Sequence, residues 1–109
     1  MNLVLKHYFP SPVFPDRVVI VGAGGFVGKA AANKLRARGA HVIGITRQDI
    51  DLLSGGAAEQ LASILRKSDT LVMIAAQAPV KTNATLIDNL RMMAAVCAAL
   101  GSVPVEHVI

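Results

Sequence analysis

The residues whose types and spacing could do chemistry stand in one stretch, VVIVGAGGFVGKA, from Val18 to Ala30. A glycine-rich turn between an apolar run and a helix suits phosphate recognition, because backbone amides free of side chains can approach the oxygens. Two forms of that chemistry compete here. The phosphate loop of a nucleotide hydrolase needs Gly, four residues, then Gly-Lys-Ser/Thr, since the lysine reaches the terminal phosphates and the hydroxyl holds magnesium. In this chain Ala30 follows Gly28-Lys29, and Ala23 stands where the leading glycine belongs. With both requirements unmet, that reading is set aside. A dinucleotide turn asks instead for a strand before the glycines and a helix after them. Gly22 then permits the tight turn, Gly24 or Gly25 lets amides reach a pyrophosphate, and Gly28 lets the helix pack close to the strand. The helix opening at Phe26 and Val27 adds its N-terminal amides to the same site. The spacing met is G-x-x-G-x-x-G, through Gly22, Gly25 and Gly28; Val27 occupies the last position of the stricter G-x-G-x-x-G.

The elements that must position this turn follow from periodicity. Val18 to Val21 is a short continuous apolar run, as expected of a central strand buried on both faces. A helix is expected over about Phe26 to Arg38, with Val27, Ala30, Ala31, Lys34 and Leu35 recurring at helical spacing and Gly39 just past its end. His41 to Thr46 reads as a second strand, and Ile50 to Leu53 as a very short extended piece. A second helix is expected over about Ala57 to Lys67, with Leu61, Ile64 and Leu65 facing inward. Thr70 to Ala76 reads as a third buried strand. A long helix follows over about Ala84 to Leu100, with Leu86, Leu90, Met93, Cys97 and Leu100 as its inner stripe. Glu106 to Ile109 starts like a further strand. Alternating strands and helices give an α/β class: a Rossmann-like, doubly wound, open parallel sheet, truncated at its C-terminal side. Residues 1–16 carry Pro10, Pro12 and Pro15 and are expected to form an extended arm, with Tyr8, Phe9 and Phe14 free to pack on the body or a partner. Residues 17–109 form the incomplete nucleotide-binding domain.

Composition bounds the partners. The 109 residues are 53% hydrophobic and 17% charged, which describes one compact domain with a real core. Net charge is +4, but the eleven Lys and Arg are scattered and lack interleaved aromatics, which argues against nucleic acid. Hydrophobic runs stop short of a membrane span and no signal-peptide pattern opens the chain, so the cytoplasm is the expected compartment. Cys97, the single cysteine, reads as a small core residue. His7, His41 and His107 have no metal-ligand spacing, and no metal site is expected.

The glycine pattern and its surroundings resemble the extended short-chain dehydrogenase/reductase family, the NAD(P)-dependent epimerases, dehydratases and reductases that mostly act on nucleotide sugars. The resemblance covers Arg17 to Ile109. It implies that Asp51, with Leu52 beside it, accepts from the adenine amino group; the same carboxylate also suits a helix cap or turn. It implies that Ala75 and Ala76 form the small-residue end against which a ribose lies; ordinary strand packing accounts for them as well. Asn89 falls where the family often places an Asn supporting the active site from this helix, and an exposed helical Asn is the plainer alternative. For the adenosine ribose, a carboxylate ending the second strand would accept from the NAD 2′-hydroxyl and repel a 2′-phosphate. Thr46 stands there, followed by Arg47, a fixed cation with several donors, so NADP is favoured over NAD.

The resemblance breaks at the chemistry. The family uses a Tyr with a Lys four residues on. Here Tyr8 is the one tyrosine and Pro12 stands four residues later, so no catalytic residue is assigned. The expectation is the coenzyme-binding portion of a longer oxidoreductase whose substrate is nucleotide-sugar-like, not catalytically competent alone. The alternative is a stand-alone nucleotide-sensing module. A sheet left open beside Val103 to Ile109 is expected to self-associate.

Overall fold

The computed structural model describes residues 3–7 and 9–109; Tyr8 lies outside them. Four parallel strands form one sheet in the order β2-β1-β3-β4: β1 is Arg17–Val21, β2 His41–Ile45, β3 Thr70–Met73 and β4 His107–Val108. Three helices connect them: α1 Phe26–Ala37, α2 Ala57–Ile64 and α3 Asn83–Ser102. The sheet is parallel and α/β, as expected.

β1 lies inside the sheet, with Val19 opposite both Ile43 and Leu71. Its Val18 to Val21 are all 2% exposed or less. Alternation sends Val18 and Ile20 to one face, where they meet Ala32 and Val42, and Val19 and Val21 to the other, where they meet Leu61 and Val96. Each such burial contributes about 1.5–3 kcal/mol, so β1 anchors both layers. From β2 the chain crosses over β1 to reach β3. That reversal opens a crevice at the C-terminal ends of β1 and β3, where open α/β sheets bind ligands.

Several expectations are corrected. β3 stops at Met73 rather than Ala76, because the amides of Ile74 and Ala75 both turn onto the Val21 carbonyl, at 2.9 and 3.0 Å. Residues 50–53 are not an extended piece: the Ile50 amide bonds back to the Thr46 carbonyl, a turn from Asp51 to Ser54 follows, closed by the Ser54 amide on the Asp51 carbonyl, and Ile50 and Leu52 drop into the core. α2 ends at Ile64, where Leu65 turns extended, although Leu61 and Leu65 face inward as expected. On α1 the buried positions are Gly28 and Ala32, with Ala31 and Leu35 half-buried, whereas Val27, Ala30 and Lys34 are exposed.

The largest correction is α3. Leu86, Leu90, Met93 and Cys97 face outward, and the buried side chains are Met92, Val96 and Ala99. The inner stripe begins one turn earlier with a polar residue, Asn89, so a search for the most hydrophobic face selects the wrong side. At 20 residues and mean hydropathy 1.3, α3 is also long and apolar enough to cross a membrane by length and composition, longer than the sequence reading allowed; here its inner stripe packs in the core shared with α2 and the sheet.

At the other end of the strands, Asp69 is fully buried and its Oδ2 accepts from Arg17 Nη1 at 2.6 Å and from the Arg66 amide at 2.8 Å. The arm reaches the body through Phe14, whose ring lies 5.0 Å from the Arg38 guanidinium. A groove beneath the arm, lined among others by Phe9, Phe14, Thr70 and His107, occupies that end of the sheet.

Candidate functional site

The turn after β1 is built by glycines with two distinct reasons. Gly22 has φ +99°, and a Cβ there would stand 2.6 Å from the Ala75 amide nitrogen. A Cβ on Gly28 would collide with the Gly22 carbonyl oxygen. These two glycines are dictated by the protein's own packing. Gly24 and Gly25 are not: added Cβ atoms would meet nothing closer than 3.5 Å (Thr46 Cγ2) and 3.8 Å (Gly22 O) respectively. Both are exposed, so what keeps them bare is open space in front of the turn, the cradle a diphosphate needs. Gly22→Ala is expected to lower stability by about 2 kcal/mol, from left-handed strain and the Ala75 clash; urea unfolding measures it.

The helix start is equally bare. Gly25 caps α1 with no side-chain bond and no acidic residue follows in the first turn, whereas α3 is capped by Thr82 and α2 carries Glu59 in its first turn. Lys29 is the first α1 amide to find a carbonyl, that of Gly25 at 2.9 Å. The Gly25 amide already donates to the Gly22 carbonyl at 3.4 Å, whereas those of Phe26 and Val27, with the positive end of the helix dipole, remain available to an anion.

A cleft of about 260 Å³ opens beside this turn. Of the residues singled out in the sequence, Gly22, Gly24, Gly25, Thr46, Arg47, Asp51, Leu52, Ala75 and Ala76 line it. Phe26, Val27 and Gly28 do not: the first two project their side chains into solvent, and Gly28 lies buried under the Gly22 carbonyl. Only the main chain of Phe26 and Val27 can serve the site. The volume falls just below the ~300–1,000 Å³ of whole-ligand pockets, which suits one part of an extended ligand.

Asp51 does what its plainer alternative required: its Oδ1 accepts from the Leu53 amide at 3.0 Å, fixing the turn that brings Leu52 and Leu53 to the cleft wall. Oδ2 takes part in no hydrogen bond among the described residues, so the same carboxylate can accept from a ligand. Arg47 is exposed and pairs with no carboxylate among the described residues.

Two contributors were not foreseen. Gln77 lines the cleft, and Asn89 grips its main chain twice, Oδ1 accepting from the Gln77 amide at 2.8 Å and Nδ2 donating to its carbonyl at 3.0 Å. The mid-helix Asn is thus a positioning residue for the loop after β3. No sequence signal marks Gln77. Asn89→Ala should cost about 1–2 kcal/mol and accelerate hydrogen exchange at the Gln77 amide, with α1 unaffected. The other is Asp49, whose Oδ2 accepts from both the Thr46 amide and hydroxyl, at 2.8 and 2.9 Å. Those bonds hold its carboxyl below the ordinary 3.8. The Thr-x-x-Asp spacing, a relative of the capping box, was the available signal.

A family model, the NAD dependent epimerase/dehydratase family, matches residues 18–109. No curated protein matches the chain. Among solved structures, a GDP-mannoheptose C4 reductase from Campylobacter jejuni with NADP bound superposes with a TM-score of 0.72 at 20% identity, covering 90% of this chain and 31% of its own. A GDP-6-OMe-4-keto-L-xylo-heptose reductase from C. jejuni gives 0.69 at 21% identity, covering 89% and 29%. At that identity the likeness is one of fold, and the chain spans about three-tenths of the length of these reductases. The glycine turn at the end of an interior parallel strand, the cleft beside it and a family match over nearly all residues after the arm lead to one assignment: the chain belongs to the NAD-dependent epimerase/dehydratase family.

Proposed function

We propose that this chain binds a nicotinamide dinucleotide, NADP in preference to NAD, as the coenzyme-holding part of an oxidoreductase acting on a nucleotide-sugar-like substrate. The observation that carries the reading is the pair Gly24 and Gly25, bare for no reason of internal packing, in front of an uncapped helix. Main-chain amides of Gly24, Phe26 and Val27 would hold the diphosphate. Arg47 would meet the adenosine 2′-phosphate, Asp51 Oδ2 and Leu52 the adenine, and Ala75 and Ala76 a ribose. Thr46 shapes the end of β2 against Gly24, 3.5 Å from where a Cβ would stand. When bound, the nicotinamide would carry a hydride to or from the substrate.

Titration calorimetry with NADPH and NADH tests this, supported by the fluorescence of reduced nicotinamide, which no tryptophan overlaps in this chain. Saturable binding tighter for NADPH is expected; heat of dilution alone with both would overturn it.

The proposal extends to self-association through the free edge of β4, where Val108 is 50% and Ile109 64% exposed and the outer strand face has no neighbour among the described residues. Sedimentation velocity across a concentration series should show a rising mass, and replacing Val108 with Lys should suppress it.

A further inference from the structure

We infer that Leu3-Val4-Leu5 is an interaction segment whose partner is a second copy of this chain, seated in that copy's groove beneath the arm. Leu3, Val4 and Leu5 are 90%, 81% and 86% exposed, the one run of three consecutive large apolar side chains left in solvent among the described residues. The groove, of about 920 Å³, has the arm from Lys6 onward as one wall and the starts of β3 and β4 as the other, through Thr70, Glu106 and His107. It exists because one sheet face is half covered. α1 packs over β1 and β2. Thr70 pairs in register with Val18, and His107 with Thr70, so both side chains point to the α1 face, at a place where the arm, and no helix, lies above them.

The segment does not fill the groove of its own chain. Leu5 directly precedes Lys6, a residue of the wall, and folding back takes a four-residue reversal; Leu5-Lys6-His7 has none of the Gly, Pro, Asn, Asp or Ser that such reversals use. A second copy meets no such constraint. Three extended residues span about 10 Å, and the groove has the size of pockets that take whole ligands, about 300–1,000 Å³. Its walls carry two carboxylates, Asp16 and Glu106, against one lysine, Lys6, so the Lys6 that follows an incoming segment meets a surplus of negative charge. Segment and groove adjoin on one side of the molecule, and a two-fold pair therefore fills both grooves at once and closes. The arm can adjust to such a partner because its tether is light. Ahead of Asp16 none of its described residues makes a hydrogen bond, and the Phe14 ring over Arg38 holds it to the end of α1, while Pro10, Pro12 and Pro15 keep it extended.

The test joins sedimentation velocity on the full chain with isotope-filtered NOEs, recorded on a mixture of copies carbon-13-labelled at Leu and Val methyls and copies labelled only with nitrogen-15. A dimer is expected, with contacts from the Leu3, Val4 and Leu5 methyls of one copy to the Thr70, Glu106 and His107 amides of the other. Leu3→Ser with Leu5→Ser should weaken dimerisation at least ~10-fold and leave the circular dichroism unchanged, since both side chains are exposed. Val108→Lys separates this contact from the β4 edge: Val108 pairs with Leu71, which faces the core on the opposite side of the sheet, so the intermolecular contacts should persist in that variant. A serine variant that associates as the parent does, or intermolecular contacts from the segment to another surface, overturns the inference and leaves the β4 edge standing. A parent chain that stays monomeric across the concentration series overturns both.

Discussion

Asp69→Ala should lower the unfolding free energy by about 3–5 kcal/mol, a large fraction of the roughly 5–15 kcal/mol that domains have. The carboxylate is fully buried and ties the start of β1 to the segment just past α2, its Oδ2 accepting from Arg17 and from the Arg66 amide. Its own carbonyl accepts from the Glu106 and His107 amides, at 3.1 and 3.4 Å, where β4 begins. Arg17 Nη2 in turn donates to the Ile64 carbonyl at 3.0 Å. Truncation strands a guanidinium whose side chain is only 11% exposed. The pair itself is imperfect, since Arg17 Nε and Asp69 Oδ1 are buried without partners. A double replacement, Arg17→Met with Asp69→Leu, should therefore recover more than half of the loss. Urea denaturation of the parent, the single and the double variants measures this; a single variant as stable as the parent would show that the backbone bonds hold this corner alone.

Gly25→Asp should have the largest effect on binding, and in the direction opposite to its effect on folding. Gly25 is the N-cap of α1 with φ −80° and ψ 173°, an extended geometry that any residue adopts and that aspartate favours at this position. A side-chain oxygen there would satisfy an open amide and complement the helix dipole, raising stability by about 0.5–1 kcal/mol. The same oxygen would stand where the diphosphate belongs, adding an anion and consuming a donor. Affinity for NADPH is expected to fall at least ~100-fold, the equivalent of losing two charge-assisted hydrogen bonds at about 1.5–3 kcal/mol each. Thermal melts and calorimetry on one preparation read both signs. A protein that gains stability and still binds would mean that the ligand sits elsewhere; one that loses both would mean that Gly25 serves packing.

The interior of this fold was legible because its signals are local. A run of four apolar residues ending in glycine identified β1, and the turn after it could be read almost residue by residue, down to Gly22 and Gly28. The failures share one cause: tertiary contacts chose between faces that the sequence makes nearly equal. α3 carries apolar residues on two sides, and the inner one is selected by Asn89 reaching Gln77, a contact between residues 12 apart that no periodicity encodes. α1 is rotated from its expected face because Gly28, with no side chain to register as hydrophobic, is its closest approach to the turn. At the site, Arg47 and Asp51 were visible as charges after a strand. That Asp49 holds the Thr46 donors depends on how the turn closes, which residue types alone do not specify.

The most direct measurement is amide resonance mapping by nuclear magnetic resonance as NADPH is added to the isotopically labelled chain. If main-chain donors at the start of α1 clasp the diphosphate, the amides of Gly24, Gly25, Phe26 and Val27 shift together and saturate, with Thr46 and Gln77 following. Saturating shifts clustered instead around Phe14, Thr70 and His107, in the groove beneath the arm, or no saturable shifts at the glycine turn, would contradict it.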